Sequence, residues 1–258
     1  MSRFNFQFSN FRYKYFFFLL AGIILSCTSF SQIVRNNYSL NAIDSSLKDD
    51  SLMKSEILPY KIKADKIMNE VLAYSDQVLK GNQPEGLLGD FMSDLILKSA
   101  KEHCADTCSV DICILNNGGM RNPLPKGNIT RDNIFQFMPY ENEMVVLFIK
   151  GSDVSDILNF IANKGGIPVA GLRMKIKYQM PSDVMIGDKP FDENKTYTIV
   201  TSDYLANGGD NMTFFLKATK KINLGIKLRD AIINYLQDET KKGNSINVKT
   251  DGRIQIVK

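Results

Sequence analysis

Between residues 84 and 115 the hydrophobic period of the chain changes from helical to continuous. Leu88, Phe91, Met92, Leu95 and Ile96 recur three and four positions apart, which predicts an amphipathic helix over 84–100. Residues 110–115 then run Val-Asp-Ile-Cys-Ile-Leu and read as a buried strand. A chain carrying both patterns must pack helices against a sheet. The same alternation recurs along its length, with helices expected at 52–66, 130–137, 151–163 and 225–238. Strands are expected at 70–75, 143–149, 171–178 and 196–202, with a last one at 253–257. Pro59 predicts a kink or a late start in the first helix, and Thr130 supplies an N-cap for the third. The expected fold class is α/β in the mixed α+β sense: one domain of mixed sheets flanked by helices, with parallel and antiparallel strands as neighbours.

The first 26 residues stand outside that pattern. Arg3, Arg12 and Lys14 precede an apolar run over 15–25. A run of about ten residues is too short for a hydrocarbon core of about 30 Å and fits the apolar centre of a secretory leader. Ile24-Leu-Ser-Cys27 resembles a bacterial lipobox, which implies cleavage before Cys27 and acylation of that cysteine. A plain leader cut nearby is the simpler alternative. The expected organisation is a lipoprotein signal peptide over 1–26, a Ser- and Asn-rich tether over 27–45 and one domain over 46–258. The expected localisation is export to a bacterial cell envelope, anchored to a membrane by lipid on Cys27 and facing the periplasm.

Charge excludes a polyanion partner. The chain has 32 Lys and Arg against 28 Asp and Glu, but three of the basic residues belong to the leader. The mature balance is close to neutral, so no nucleic acid is expected to bind. A single histidine, His103, excludes a mechanism built on several imidazoles within this chain, and no metal or cofactor site is expected in it. His103 with Cys104, Cys108 and Cys113 has the outline of a zinc site. The spacing lacks two CxxC-like pairs, however, and Cys113 falls in a strand. A Cys104–Cys108 loop disulfide with Cys113 in the core is the preferred reading.

Three loops combine glycines with side chains suited to a nucleotide-sized ligand. The first carries Asn116, Asn117 and Arg121, the second Tyr140 and Asn142, and the third Asp203, Tyr204, Asn207 and Asp210. A tyrosine face stacks a base, worth about 1–3 kcal/mol. An amide reads a base edge, a carboxylate accepts ribose hydroxyls, and an arginine fork grips a phosphate. Each element alone is an ordinary turn or packing residue. Their joint presence carries the reading.

The motifs Asn116-Asn-Gly-Gly-Met-Arg121, Leu124-Pro-x-Gly-x-Ile-Thr130 and Phe137-Met-Pro-Tyr-Glu-Asn142, with Tyr204-Leu-Ala-Asn-Gly-Gly-Asp210 later, resemble the C-terminal domain of bacterial and ecto 5′-nucleotidases. The resemblance runs from about residue 85 to the last strand. It implies that Tyr140 and Tyr204 sandwich the base, Asn142 bonds its edge, Asp210 holds the ribose and Arg121 the phosphate. It also assigns Asn117 and Gly171 to the substrate site. Some family members carry further arginines upstream of residue 85; here only Lys80 stands there. The family's other half is a metallophosphatase with two metals held by Asp, His and Asn. Its motifs are missing from this sequence, so no catalytic residue is expected here. The implied role is nucleotide recognition for a 5′-nucleotidase-type phosphohydrolase, with a divalent metal pair supplied by a separately encoded metallophosphatase. A non-catalytic nucleotide- or nucleoside-binding lipoprotein and a scaffold lipoprotein are the alternatives.

Overall fold

In the computed structural model, residues 43–44, 47–104 and 108–257 are described. The leader, Cys27 and most of the expected tether lie outside them. The chain divides into two units, 1–51 and 52–258, and the fold below is that of the second.

Helix α1 (Ser51–Met68) starts eight residues before Pro59 and runs through it, so the late start is not seen, and it buries no side chain. Strand β1 (Val71–Ser75) follows and pairs antiparallel with β3 (Gly127–Thr130). Helix α2 (Leu87–Cys104) buries the face read from its sequence, including Leu88, Phe91, Met92, Leu95 and Ile96. Its last turn carries His103, and Cys104 is disulfide-bonded to Cys108 while Cys113 is free and buried.

The core sheet orders its strands β10-β4-β9-β2-β5, where β2 is Ile112–Ile114, β4 Glu143–Lys150, β5 Val169–Ala170, β9 Thr196–Ser202 and β10 Lys220–Lys227. β2 and β9 are parallel, and β4 is antiparallel to β9 with Met144 opposite Ser202. Because successive strand side chains point to opposite faces, the apolar run of β4 divides between two cores. Met144 and Val146 join a core with α2 and with helix α6 (Leu228–Lys241), which includes Ile232 and Leu236. Val145, Leu147 and Ile149 face the other way, onto Val154, Ile157 and Ile161 of helix α4 (Gly151–Asn163). Helices thus cover both faces of a mixed sheet, as expected. A smaller sheet ordered β11-β6-β7-β8 joins the second core through Met174, Ile176 and Ile254. Its strands are β6 (Leu172–Lys177), β7 (Met180–Ile186), β8 (Lys189–Pro190) and β11 (Ile254–Val257).

Helix α3 (Arg131–Phe137) begins at Thr130, whose hydroxyl accepts from the Asn133 N–H. Asn133 Oδ1 accepts from the Thr130 N–H in return, closing a capping box. Five strands escape the sequence reading: β3, β5, β7, β8 and β10. β10 is an edge strand in which half-buried Ile222, Leu224 and Ile226 alternate with Asn223 and Gly225, and the following helix starts at Leu228 rather than 225. β7 and β8 form a hairpin too polar to stand out. Among the described residues no helix is long and apolar enough to cross a membrane.

Candidate functional site

Sheet topology brings the three loops together. β2 and β9 are parallel neighbours, so the loops leaving their C-terminal ends emerge at one edge of the sheet. β4 is antiparallel to β9, so the loop entering it reaches that same edge. Asn116–Arg121 follow β2, Tyr140–Asn142 precede β4, and the short helix α5 (Asp203–Ala206) follows β9. The result is a cavity of about 260 Å³ lined by Asn116, Gly118, Gly119, Arg121, Tyr140, Asn142, Tyr204 and Asp210. Crevices at the carboxyl ends of parallel strands are the usual ligand position in open α/β sheets.

Five of the six lining side chains are held by a neighbour. The Tyr204 hydroxyl donates to Asp210 Oδ1 at 2.9 Å, and the Asp210 N–H donates back to the Tyr204 oxygen at 3.2 Å. Asn116 Nδ2 donates to Asp210 Oδ2 at 2.5 Å, tying the first loop to the third. Arg121 Nε donates to the Tyr140 oxygen at 2.8 Å, with a second bond from Nη2, tying the first to the second. The Arg121 N–H donates to the Phe137 carbonyl at 2.9 Å and fixes the backbone beneath that pair. Gly209 is required by contact: a Cβ there would lie 2.5 Å from Cε1 and Cζ of Tyr204. Gly209→Ala is therefore expected to displace the ring and weaken binding at the cavity about tenfold, a change titration calorimetry reads directly.

Glu141, between the two lining residues of its loop, points away and accepts from Lys227 and Arg229. Those two hydrogen bonds hold its carboxyl below the usual carboxylate range, Lys227 contributing most. Arg229 is buried, lies 4.1 Å from the Phe135 ring centroid and also donates to the Met138 carbonyl at 3.3 Å. This anchor for the Tyr140 loop was missed in the sequence, where Glu141 and Arg229 have no local pattern linking them.

The expected site residues separate into groups. Arg121, Tyr140, Asn142, Tyr204 and Asp210 line the cavity, joined by Asn116. Asn117 lines an adjoining cleft of about 580 Å³ with Lys80, Asn82 and Gln83, and Arg121 borders both spaces. Asp203 accepts from the Tyr204 N–H, and Asn207 accepts from Lys221, so neither faces the cavity. Gly171 is not a lining residue. It turns the chain between β5 and β6 at φ +73°, and a Cβ there would meet the Asp111 carbonyl oxygen at 2.1 Å. Its role is packing at the far edge of the sheet. Gly171→Ala is expected to cost about 2–3 kcal/mol in urea unfolding while leaving the cavity's ligand affinity unchanged. Among the described residues no group of three His, Cys, Asp or Glu side chains is placed to hold a metal ion.

These features define a mixed α/β domain whose one-edge cavity offers a cation, a carboxylate, two phenols and two amides. The family described as 5′-nucleotidase, C-terminal domain, matches residues 66–217, and the chain belongs to that family. The chain is 28% identical over 251 residues to the trifunctional nucleotide phosphoesterase protein YfkN of Bacillus subtilis, covering 88% of this chain and 16% of that one. It is 25% identical over 206 residues to the 5′-nucleotidase of Vibrio cholerae, covering 75% and 35%. In fold it is similar to a 5′-nucleotidase precursor from Thermus thermophilus, with a TM-score of 0.67 at 24% identity over 82% of this chain and 44% of that one. The chain therefore spans less than half the length of each of these relatives.

Proposed function

We propose that this chain is the nucleotide-recognition component of a 5′-nucleotidase-type phosphohydrolase. It binds a nucleoside monophosphate in the cavity between the three loops. The observation that carries this reading is the convergence of Arg121, Tyr140, Asn142, Tyr204 and Asp210 on one space of about 260 Å³. In the proposed pose Tyr140 and Tyr204 hold the base, Asn142 its edge and Asp210 the ribose. Arg121 holds the phosphate at the border of the adjoining cleft, where Lys80 adds a second positive charge. This chain binds and orients; phosphoryl cleavage belongs to a separately encoded metallophosphatase with a divalent metal pair. A lipid on Cys27 keeps the component at an envelope membrane, facing the periplasm.

Calorimetry on the chain from Cys27 onward tests the binding step. AMP or UMP is expected to bind, and Tyr140→Ala with Tyr204→Ala is expected to abolish the heat, since the pair removes about 2–6 kcal/mol of stacking. No heat from the wild-type protein at millimolar nucleotide would sink the reading. The partnership is tested by assaying AMP hydrolysis with Mn²⁺ by periplasmic metallophosphatases, with and without this chain. Rates that never exceed the phosphatase alone count against it.

A further inference from the structure

Arg121 and Asp210 line the same cavity, yet each is bonded to a tyrosine rather than to the other. A phenylalanine at either aromatic position would stack a base equally well and would have no oxygen for these bonds. The two hydroxyls therefore do something that stacking does not require.

The Tyr140 oxygen accepts from Nε and Nη2 of Arg121, whose guanidinium carbon lies 5.4 Å from the ring centroid. A guanidinium has five N–H donors, so this contact occupies one edge and leaves the Nη1 side for an anion. An exposed arginine otherwise samples many rotamers, and part of that freedom is lost when a ligand fixes it. Across the cavity the Tyr204 hydroxyl donates to Asp210 Oδ1, while Asn116 donates to Oδ2. Each carboxylate oxygen keeps a second lone pair, so both can still accept from a pair of neighbouring hydroxyls. Asp210 sits at φ 51°, a left-handed conformation uncommon for a residue with a Cβ. Its N–H and its side chain both bond to the same Tyr204 oxygen, which locks that conformation.

We propose that the Tyr140 and Tyr204 hydroxyls are positioning groups, one orienting Arg121 for the phosphate and the other orienting Asp210 for the ribose diol. The cavity thereby keeps its cation and its carboxylate apart and divides recognition of the ligand's two polar ends between two phenols. This rests on the nucleotide reading above and adds which atoms set selectivity for a phosphorylated ribonucleotide.

The test uses Tyr140→Phe and Tyr204→Phe, which keep the rings. Whichever of AMP, GMP, CMP and UMP binds wild type most tightly is titrated beside its nucleoside and its 2′,3′-dideoxy form. Tyr140→Phe is expected to shrink the preference for nucleotide over nucleoside about three- to tenfold, with the ribose preference unchanged. Tyr204→Phe is expected to shrink the preference for ribose over dideoxyribose by a similar factor, with the phosphate preference unchanged. If either variant weakens all three ligands equally, its hydroxyl serves only packing and the proposal is overturned. It is equally overturned if both preferences survive in both variants. If no ligand binds the wild-type protein, the nucleotide reading fails first and this one with it.

Discussion

Arg253→Met is expected to destabilise the domain by about 3 kcal/mol, the low end of what breaking a buried ion pair costs. Arg253 is 7% exposed and contacts three acidic side chains. Nη1 and Nη2 donate to the two oxygens of Asp94 at 2.8 and 3.0 Å, and Nε donates to Asp251 Oδ1 at 3.0 Å. Asp90 Oδ1 lies 3.5 Å away, and Nη1 also donates to the Val169 carbonyl at 2.9 Å. One guanidinium thus joins α2, β5 and the turn leading into β11. Methionine fills similar volume but strips Asp94 of its bidentate countercharge, while Asp251 keeps only Arg173. The low end applies because Asp94 and Asp251 are partly exposed and water screens them. Urea unfolding at pH 7 measures the difference, and a loss below about 1 kcal/mol would show that the cluster is not a structural centre. Arg253→Lys should fall between the two, keeping the charge but losing the fork.

Asp90 yields the second large effect, of the opposite sign. It is 2% exposed, and its Oδ2 accepts no hydrogen bond from any N–H or O–H among the described residues. Burial pushes its carboxyl up to about 8. Arg253 pulls the other way, while neighbouring Glu85 and Asp94 add to the rise. Glu85 Oε1 in turn accepts from the N–H groups of Asp251 and Gly252 at 2.7 and 3.1 Å. In the unfolded chain Asp90 ionises near 3.9. Above that value the unfolded state binds fewer protons than the folded state, so this group costs stability progressively as pH rises from about 4 to about 8. Asp90→Asn imitates the protonated acid without needing a proton. The variant is expected to gain on wild type across that window by several kcal/mol and to hold a constant advantage above it. Taking the difference between the two proteins removes contributions common to both, such as that of Asp251, whose carboxyl is held low despite its burial by Arg253. Urea midpoints at pH 5, 6, 7, 8 and 9 supply the comparison. Parallel curves would mean that Asp90 carries no proton in the folded protein.

Much of the scaffold was legible because hydrophobic period is local. Leu88, Phe91, Met92, Leu95 and Ile96 bury one helix face whatever the helix packs on, and the apolar runs at 143–149 and 196–202 became the two central strands. β10 was not legible because an edge strand buries only one side, and Asn223 and Gly225, both disfavoured in strands, sit between Ile222, Leu224 and Ile226. The late start offered for Pro59 failed because proline is disfavoured but not forbidden within a helix, and an exposed helix carries it here without ending. Gly171 was misplaced because a glycine needed for close approach reads alike whether the neighbour is a ligand or, as here, the Asp111 carbonyl.

The candidate site divides along the same line. Residue types and their order within each loop were written in the sequence, and so was the family that those motifs belong to. That the loops meet depends on β2, β9 and β4 being neighbours with one strand reversed, which no segment encodes by itself. The bonds that orient the site join residues 19 positions apart at Arg121 and Tyr140, and 94 apart at Asn116 and Asp210. The sequence alone determined which side chains were available and which elements carried them. The tertiary structure alone decided which of them face one another, because side-chain hydrogen bonds reach only about 3 Å and their partners are brought that close by the sheet.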